Sequence, residues 1–314
     1  MNETDYEKLV KEYEKIAKKA DKPLLTFDDL VSSRLDLKKV LHPDTEEKRF
    51  KEAVRDVRYY ESEMGIYLAF KNRDVEMLNN ALYVAAQATQ ISNISQPGAD
   101  HGYYGMNITP LILAANIPER INKLLKKEYG LSSAVQTGPI LANLLMAIWF
   151  EDEELKTKAL EKAQKKLAQK ITDYERGFIN CYTSILQKDI DGVNNGLVDL
   201  CRGIYSFRGM DPFSKGFCIA AHAVYNLSHW AYGGELENSI KIPDEPNFCQ
   251  ELVQYQKEHG YKHGRVFNTY PPELDEFNKV MQCEPPEMHL IQDGRNRYID
   301  TKRFLNDVLQ ILLA

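Results

Sequence analysis

The sequence lacks what export or membrane insertion would require. Its most apolar run, Ile140 to Phe150, is too short to cross a bilayer, and the opening MNETDYEKLVKEY has no apolar stretch behind a basic one. The five cysteines, Cys181, Cys201, Cys218, Cys249 and Cys283, are odd in number and scattered, with no CxxC pair. That excludes a disulfide framework or a cysteine-clustered zinc site, and the thiols read as small buried hydrophobes of a cytoplasmic protein. The Asn-x-Ser/Thr matches at Asn93, Asn107 and Asn226 then carry no glycan.

Positive charge is also in short supply. A net charge of −6 argues against a nucleic-acid binder, which needs a dense basic face to displace counterions from phosphates. Nucleotide, hydrolase and zinc-protease signatures are missing too: there is no Walker A loop, GxGxxG, GxSxG or HExxH. His259 and His263 stand four apart, but glycines at 260 and 264 break the helix that would align them, and no third ligand is suitably spaced. His222, His229 and Trp230 share one predicted helix and read as packing residues. His101 lies alone in a loop, and Asp189-x-Asp191 reads as a helix cap. No catalytic, cofactor or metal residues are assigned.

What is present is helical periodicity. Thr4 with Glu7 forms a capping box ahead of Tyr6, Leu9, Tyr13 and Ile16, and Lys22-Pro23 stops the run. The spacing predicts further helices from Thr26 to His42-Pro43, from Asp44 to Lys71 and from Asp74 to Ile91. Residues 92–109 read as a long Gly/Asn/Ser-rich loop containing Tyr103 and Tyr104. After Pro139 comes a helix apolar nearly all round, which belongs in the middle of the fold. A wet helix with a narrow stripe follows from Asp152, then helices over 173–187, 189–207 and 212–232. Beyond Gly233 prolines interrupt the chain until a last helix at 300–313.

Two segments align without gaps at an offset of 115 residues, YLAFKNRDVEMLNNAL from Tyr67 and YTSILQKDIDGVNNGL from Tyr182. Tyr67/Tyr182, Asp74/Asp189, Asn79/Asn194, Asn80/Asn195 and Leu82/Leu197 are identical. Each copy reads as a helix, a polar turn, a capping Asp and a second helix. A shared helical-hairpin pattern accounts for the likeness as well as a duplication does. Both readings give an all-α fold, an array of antiparallel helical hairpins with no substantial β-sheet, in one domain over 1–314. Related hairpins at 60–90 and 175–205 would fall in halves 1–130 and 139–314.

Charge is spread unevenly. Residues 233–293 hold twelve acidic and five basic residues, an excess of seven negative charges that leaves the rest of the chain at +1. Eighteen tyrosines, several in predicted loops (Tyr103, Tyr104, Tyr255, Tyr261, Tyr270), favour surfaces that bury area while keeping a polar tip wet.

The hairpin FINCYTSILQKDIDGVNNGLVDLCRGI, followed by DPFSKGFCIAAHAVYNLSHWAYGGELE and IPDEPNFCQELVQ, resembles the bacterial polymorphic-toxin immunity proteins of the immunity protein 49 family, over residues 50–280. The resemblance implies an all-α protein without catalytic residues that neutralises a cognate toxin by binding it in the cytoplasm. If that toxin is a cationic nuclease-type domain, the acidic segment would face it, with Glu273, Asp275 and Glu276 of PPELDEF, and Tyr103 and Tyr104, as the contact residues. A helical adaptor for a peptide or signalling protein, and a helical enzyme using His101, His222, His229 or His259, are the alternatives. Protein purified without a histidine tag is expected to carry well under one equivalent of transition metal on elemental analysis; a stoichiometric metal would contradict this reading of the histidines.

Overall fold

The computed structural model describes residues 3–21, 24, 26–41, 44–57, 60–95, 104–208, 212–233, 239–293 and 296–314. Thr4's side chain, Lys22-Pro23, His42-Pro43, His101 and Tyr103 lie outside the described residues. Helices α1 (Glu3–Ala20), α2 (Phe27–Leu41), α3 (Glu46–Asp56), α4 (Tyr60–Asn72) and α5 (Val75–Ile94) come first. The short α6 (Tyr104–Asn107), α7 (Thr109–Ala114) and α8 (Ile121–Leu124) lead to α9 (Thr137–Phe150), α10 (Glu153–Leu167), α11 (Asp173–Gln187), α12 (Ile190–Gly203) and α13 (Ile219–Tyr232). Last are α14 (Gln250–Glu258), α15 (Asp275–Gln282), a two-stranded antiparallel hairpin of β1 (Leu290–Asp293) and β2 (Asn296–Ile299), and α16 (Thr301–Leu313).

The fold is all-α, as the periodicity predicts, with helices α5 and α9 at its centre. Every residue of α9 from Thr137 to Ile148 is buried, the outcome expected of a helix without a polar face. Around it lie α6, α10 and α11, while α4, α7 and α14 surround α5. Helix α10 buries only Ala159 and Ala163. One hydrophobic cluster runs from Tyr6 to Leu309 through both halves of the chain. Among the described residues no helix is long and apolar enough to cross a membrane.

The helix expected over 44–71 is broken instead. Helix α3 ends at Asp56, Val57 is extended, and α4 starts at Tyr60. No Gly or Pro marks the break, and a tertiary contact meets the helix end there. Arg34 of α2 donates to the Asp56 carbonyl at 3.2 Å, so a side chain from another helix satisfies a carbonyl that the helix end leaves open. The predicted loop at 92–109 is also shorter than expected, since α5 continues to Ile94 and α6 resumes at Tyr104. The helix expected over 212–232 is likewise interrupted, and α13 begins only at Ile219.

The two similar hairpins, α4–α5 and α11–α12, turn in the same way. Arg73 and Lys188 take left-handed conformations (φ 55° and 57°). The Asp74 N–H reaches back to Ala69 O and the Asp189 N–H to Ser184 O, both at 2.9 Å, closing matching Schellman turns. Each Asp then accepts the third N–H of the next helix, from Met77 at 2.8 Å and from Gly192 at 3.0 Å. The paired asparagines have a common use as well. Asn79 donates to Lys262 O at 3.3 Å, and Asn194 accepts from Lys241 N at 2.8 Å, so each hairpin grips a later, irregular segment. Gly264 fits that contact, because a Cβ there would fall 2.5 Å from Asn79 O. Asn80 accepts from Arg265 N at 2.9 Å, whereas its counterpart Asn195 is exposed.

Asp74→Ala and Asp189→Ala are each expected to cost about 1 kcal/mol, the usual worth of such a cap, read as a lowered urea midpoint. An unchanged midpoint in either variant would show that its cap contributes nothing.

Candidate interface around the acidic segment

The acidic C-terminal segment lies across the helical body and pairs with cations on it. Glu245 meets Arg202 at 2.8 Å, Glu284 meets Lys123 at 2.5 Å and Arg120 at 3.3 Å, and Glu287 pairs with Lys126. In the opposite sense, Arg265 approaches Glu76 at 3.6 Å. Burial pushes the Glu284 carboxyl's pKa up, but Lys123 and Arg120 more than reverse this and hold it below the ordinary value. Much of the local acid excess is therefore neutralised within the molecule.

The anchor of this arrangement is Arg34, which is 3% exposed. Its guanidinium lies 4.1 Å from the Phe277 ring centre and 4.8 Å from that of Tyr270, donates to the Tyr270 hydroxyl, and meets the Asp56 carboxylate at 3.2 Å. A buried guanidinium is tolerated when it is paired, hydrogen-bonded and stacked on rings. The contact fixes PPELDEF against α2 and α3. Beside it, Lys38 binds the Glu276 carboxylate at 2.7 Å and the Glu273 carbonyl.

Between α2, α3 and α15 a cleft of about 310 Å³ opens. Leu37, Ala53, Leu274 and Phe277 supply apolar lining, with Arg49 and Glu52 among the charged residues around it. Leu37 is 43% exposed, an apolar side chain offered to whatever fills the cleft. Glu273 and Asp275 are exposed next to Leu274.

Of the residues singled out in the sequence, Glu273 and Asp275 thus reach solvent together, although Asp275 also lies 3.8 Å from Lys279. Glu276 does not join them as a free acid, because its carboxylate is tied to Lys38 and only 13% exposed. Tyr104 opens α6, with its side chain outside the described residues. Two loop tyrosines serve the interior instead of a surface: Tyr270 holds Arg34, and Tyr261, 9% exposed, stacks on His229 at 3.7 Å. The cleft itself was missed. Its signal was Arg34, which falls in step with Phe27, Val31 and Leu35 on the inward stripe of α2, where an unpaired charge would be costly.

The histidines are dispersed. His259 stacks on Tyr255 at 4.1 Å and His263 on Tyr83 at 5.1 Å, on either side of Gly260, whose φ of 62° lies just past the end of α14. Among the described residues, no three His, Cys, Asp or Glu side chains are grouped to hold a metal. No family of known proteins matches the chain, and neither does any curated protein or solved structure.

His222 is sandwiched between Phe217 at 4.7 Å and Phe248 at 4.0 Å, and its Nε2 accepts the Cys249 N–H at 3.2 Å, which fixes a neutral ring. Burial pushes its pKa down from 6.5 to about 3. The folded value lies below the unfolded one, so the associated stability is complete above pH 6.5 and is lost as pH falls toward 3, by about 1.4 kcal/mol per pH unit. Between pH 6.5 and 5, His222→Gln, which cannot titrate, is expected to lose about 2 kcal/mol less than the native chain in denaturant titrations. Equal losses would contradict this origin of acid sensitivity.

Proposed function

We propose that this chain acts by binding another protein and is not an enzyme. Within that class, it serves as an immunity protein that neutralises a cognate bacterial toxin by stoichiometric, non-covalent inhibition in the cytoplasm. The observation that carries the binding reading is the cleft between α2, α3 and α15. An exposed apolar side chain, Leu37, sits among charged residues, of which Asp56 is held by the buried Arg34 and Glu276 by Lys38. Such a site presents an apolar centre and a polar rim, the usual anatomy of a protein interface. The toxin as partner rests on the resemblance of the α11–α12 hairpin and the segments after it to the immunity protein 49 family.

The mechanism follows from rigidity and charge. A pre-ordered cleft loses little entropy on docking, and tight binding is needed because any free toxin harms the cell. Glu273 and Asp275 beside the cleft attract a cationic toxin surface, and such a field raises the rate of encounter more than it slows dissociation. Leu37 and the apolar lining resist dissociation once docked.

The reading predicts a toxin gene beside this one, and co-expression of the two products is expected to restore growth and yield a one-to-one complex. No rescue and no complex would remove the immunity reading. In that complex, Glu273→Lys with Asp275→Lys should slow association about tenfold at low salt and little at high salt, with thermal stability unchanged. Leu37→Asp should instead speed dissociation. Association rates insensitive to salt and to both charge changes would place the contact face elsewhere.

A further inference from the structure

On another part of the surface the charge has the opposite sign. The irregular segment from Gly130 to Val135 runs beside α10, and between them lies a groove of about 760 Å³. Five lysines line it, Lys127, Lys158, Lys162, Lys165 and Lys166, against three acids, Asp152, Glu154 and Glu161. Two pairs are already formed, Asp152 with Lys127 at 2.7 Å and Glu154 with Lys158 at 2.5 Å, which leaves Lys162, Lys165 and Lys166 against Glu161. Lys162 and Lys165 form no ion pair with a described residue. The groove is therefore locally cationic in a chain whose net charge is −6.

Dipole complementation at a helix C-terminus accounts for Lys165 and Lys166 in the last turn of α10. It does not account for Lys158 and Lys162 on the same stripe, nor for Val135, which stands 65% exposed on the opposite wall. Leu131 and Leu155 add further apolar surface to the lining. Lysines with an apolar lining make an amphipathic slot.

We propose that this groove binds an extended acidic segment of a partner protein, one with Asp or Glu at alternate positions and aliphatic residues between them. Spacing supports that form. Lys158, whose pair with Glu154 is exposed and exchangeable, is followed by Lys162 and by Lys165 or Lys166 every three or four residues, an advance of about 4.5–6 Å along the helix axis. Side chains on one face of an extended peptide repeat about every 6.7 Å, so successive carboxylates can meet successive lysines. The alternate side chains then face the wall formed by Leu131 and Val135. A nucleic acid is disfavoured, since no aromatic or arginine side chain lines the groove to stack on a base and the molecule as a whole repels a polyanion. The proposal is independent of the toxin reading and uses none of the residues around the cleft.

The test uses the full chain and a fluorescein-labelled synthetic peptide of about nine residues, Glu alternating with Leu or Val, followed by anisotropy at low salt. Saturable binding is expected. It should weaken at least tenfold in Lys162→Glu with Lys165→Glu, several-fold in Val135→Asp, and several-fold for a peptide of the same composition with its glutamates contiguous. All these positions are partly or fully exposed, and unchanged thermal midpoints will verify folding of the variants. Absence of saturable binding would overturn the proposal, as would equal affinity for the contiguous-glutamate peptide. Tighter binding of an oligothymidylate that ignores Val135→Asp would also overturn it, by assigning the groove to a polyanion.

Discussion

A single buried guanidinium holds together much of what gives this molecule its candidate interface. Arg34 belongs to α2, yet it meets the end of α3, engages the Asp56 carboxylate and lies against the adjoining rings of Tyr270 and Phe277. Removing it would leave a helix end, a carboxylate and a tyrosine hydroxyl short of their partner at once. Together with Lys38, which binds Glu276 and the Glu273 carbonyl, this contact ties PPELDEF to α2 beside the cleft.

The same logic recasts the acidic segment. Read along the chain, an excess of seven negative charges looks like a field directed outward. In three dimensions Glu245, Glu276, Glu284 and Glu287 pair with Arg202, Lys38, Lys123 and Lys126. Individually such pairs contribute at most about 1 kcal/mol where they are exposed. Their larger effect is on placement, because they fix where an irregular, proline-interrupted segment lies on the helices. Glu273 and Asp275 remain exposed beside the cleft, as Asp244 and Glu258 do elsewhere in the segment.

Legibility in the sequence followed the range of the interactions involved. Caps and periodicity are local, so Asp74, Asp152, Asp189 and Asp300 marked their helices, and the uniformly apolar α9 announced its own burial. The break after Asp56 carries no local signal, and the side chain that meets its open carbonyl comes from 22 residues away. The β1–β2 hairpin was readable and overlooked: Asp293-Gly294 between Leu290-Ile291 and Tyr298-Ile299 is a turn signal flanked by strand formers. By charge alone Glu276 is equivalent to Glu273 and Asp275, and the fold gives it to Lys38. The cleft was foreshadowed by an arginine in an apolar stripe.

The grip of the hairpins on later segments has a consequence for how the chain matures. Gln87, 1% exposed within α5, donates to the carbonyl of Cys283, which follows it by 196 residues. At ribosomal speeds of about 5–20 residues per second, roughly ten to forty seconds separate the synthesis of those two groups. Throughout that interval the polar edge of α5, with Asn79, Asn80 and Gln87, faces water or a chaperone instead of its native cover. Completion of the fold is a late event in the life of each nascent chain, set by arrival of the C-terminal segment. Contacts this distant in sequence also make for slow folding, because loop-closure entropy must be overcome before they form.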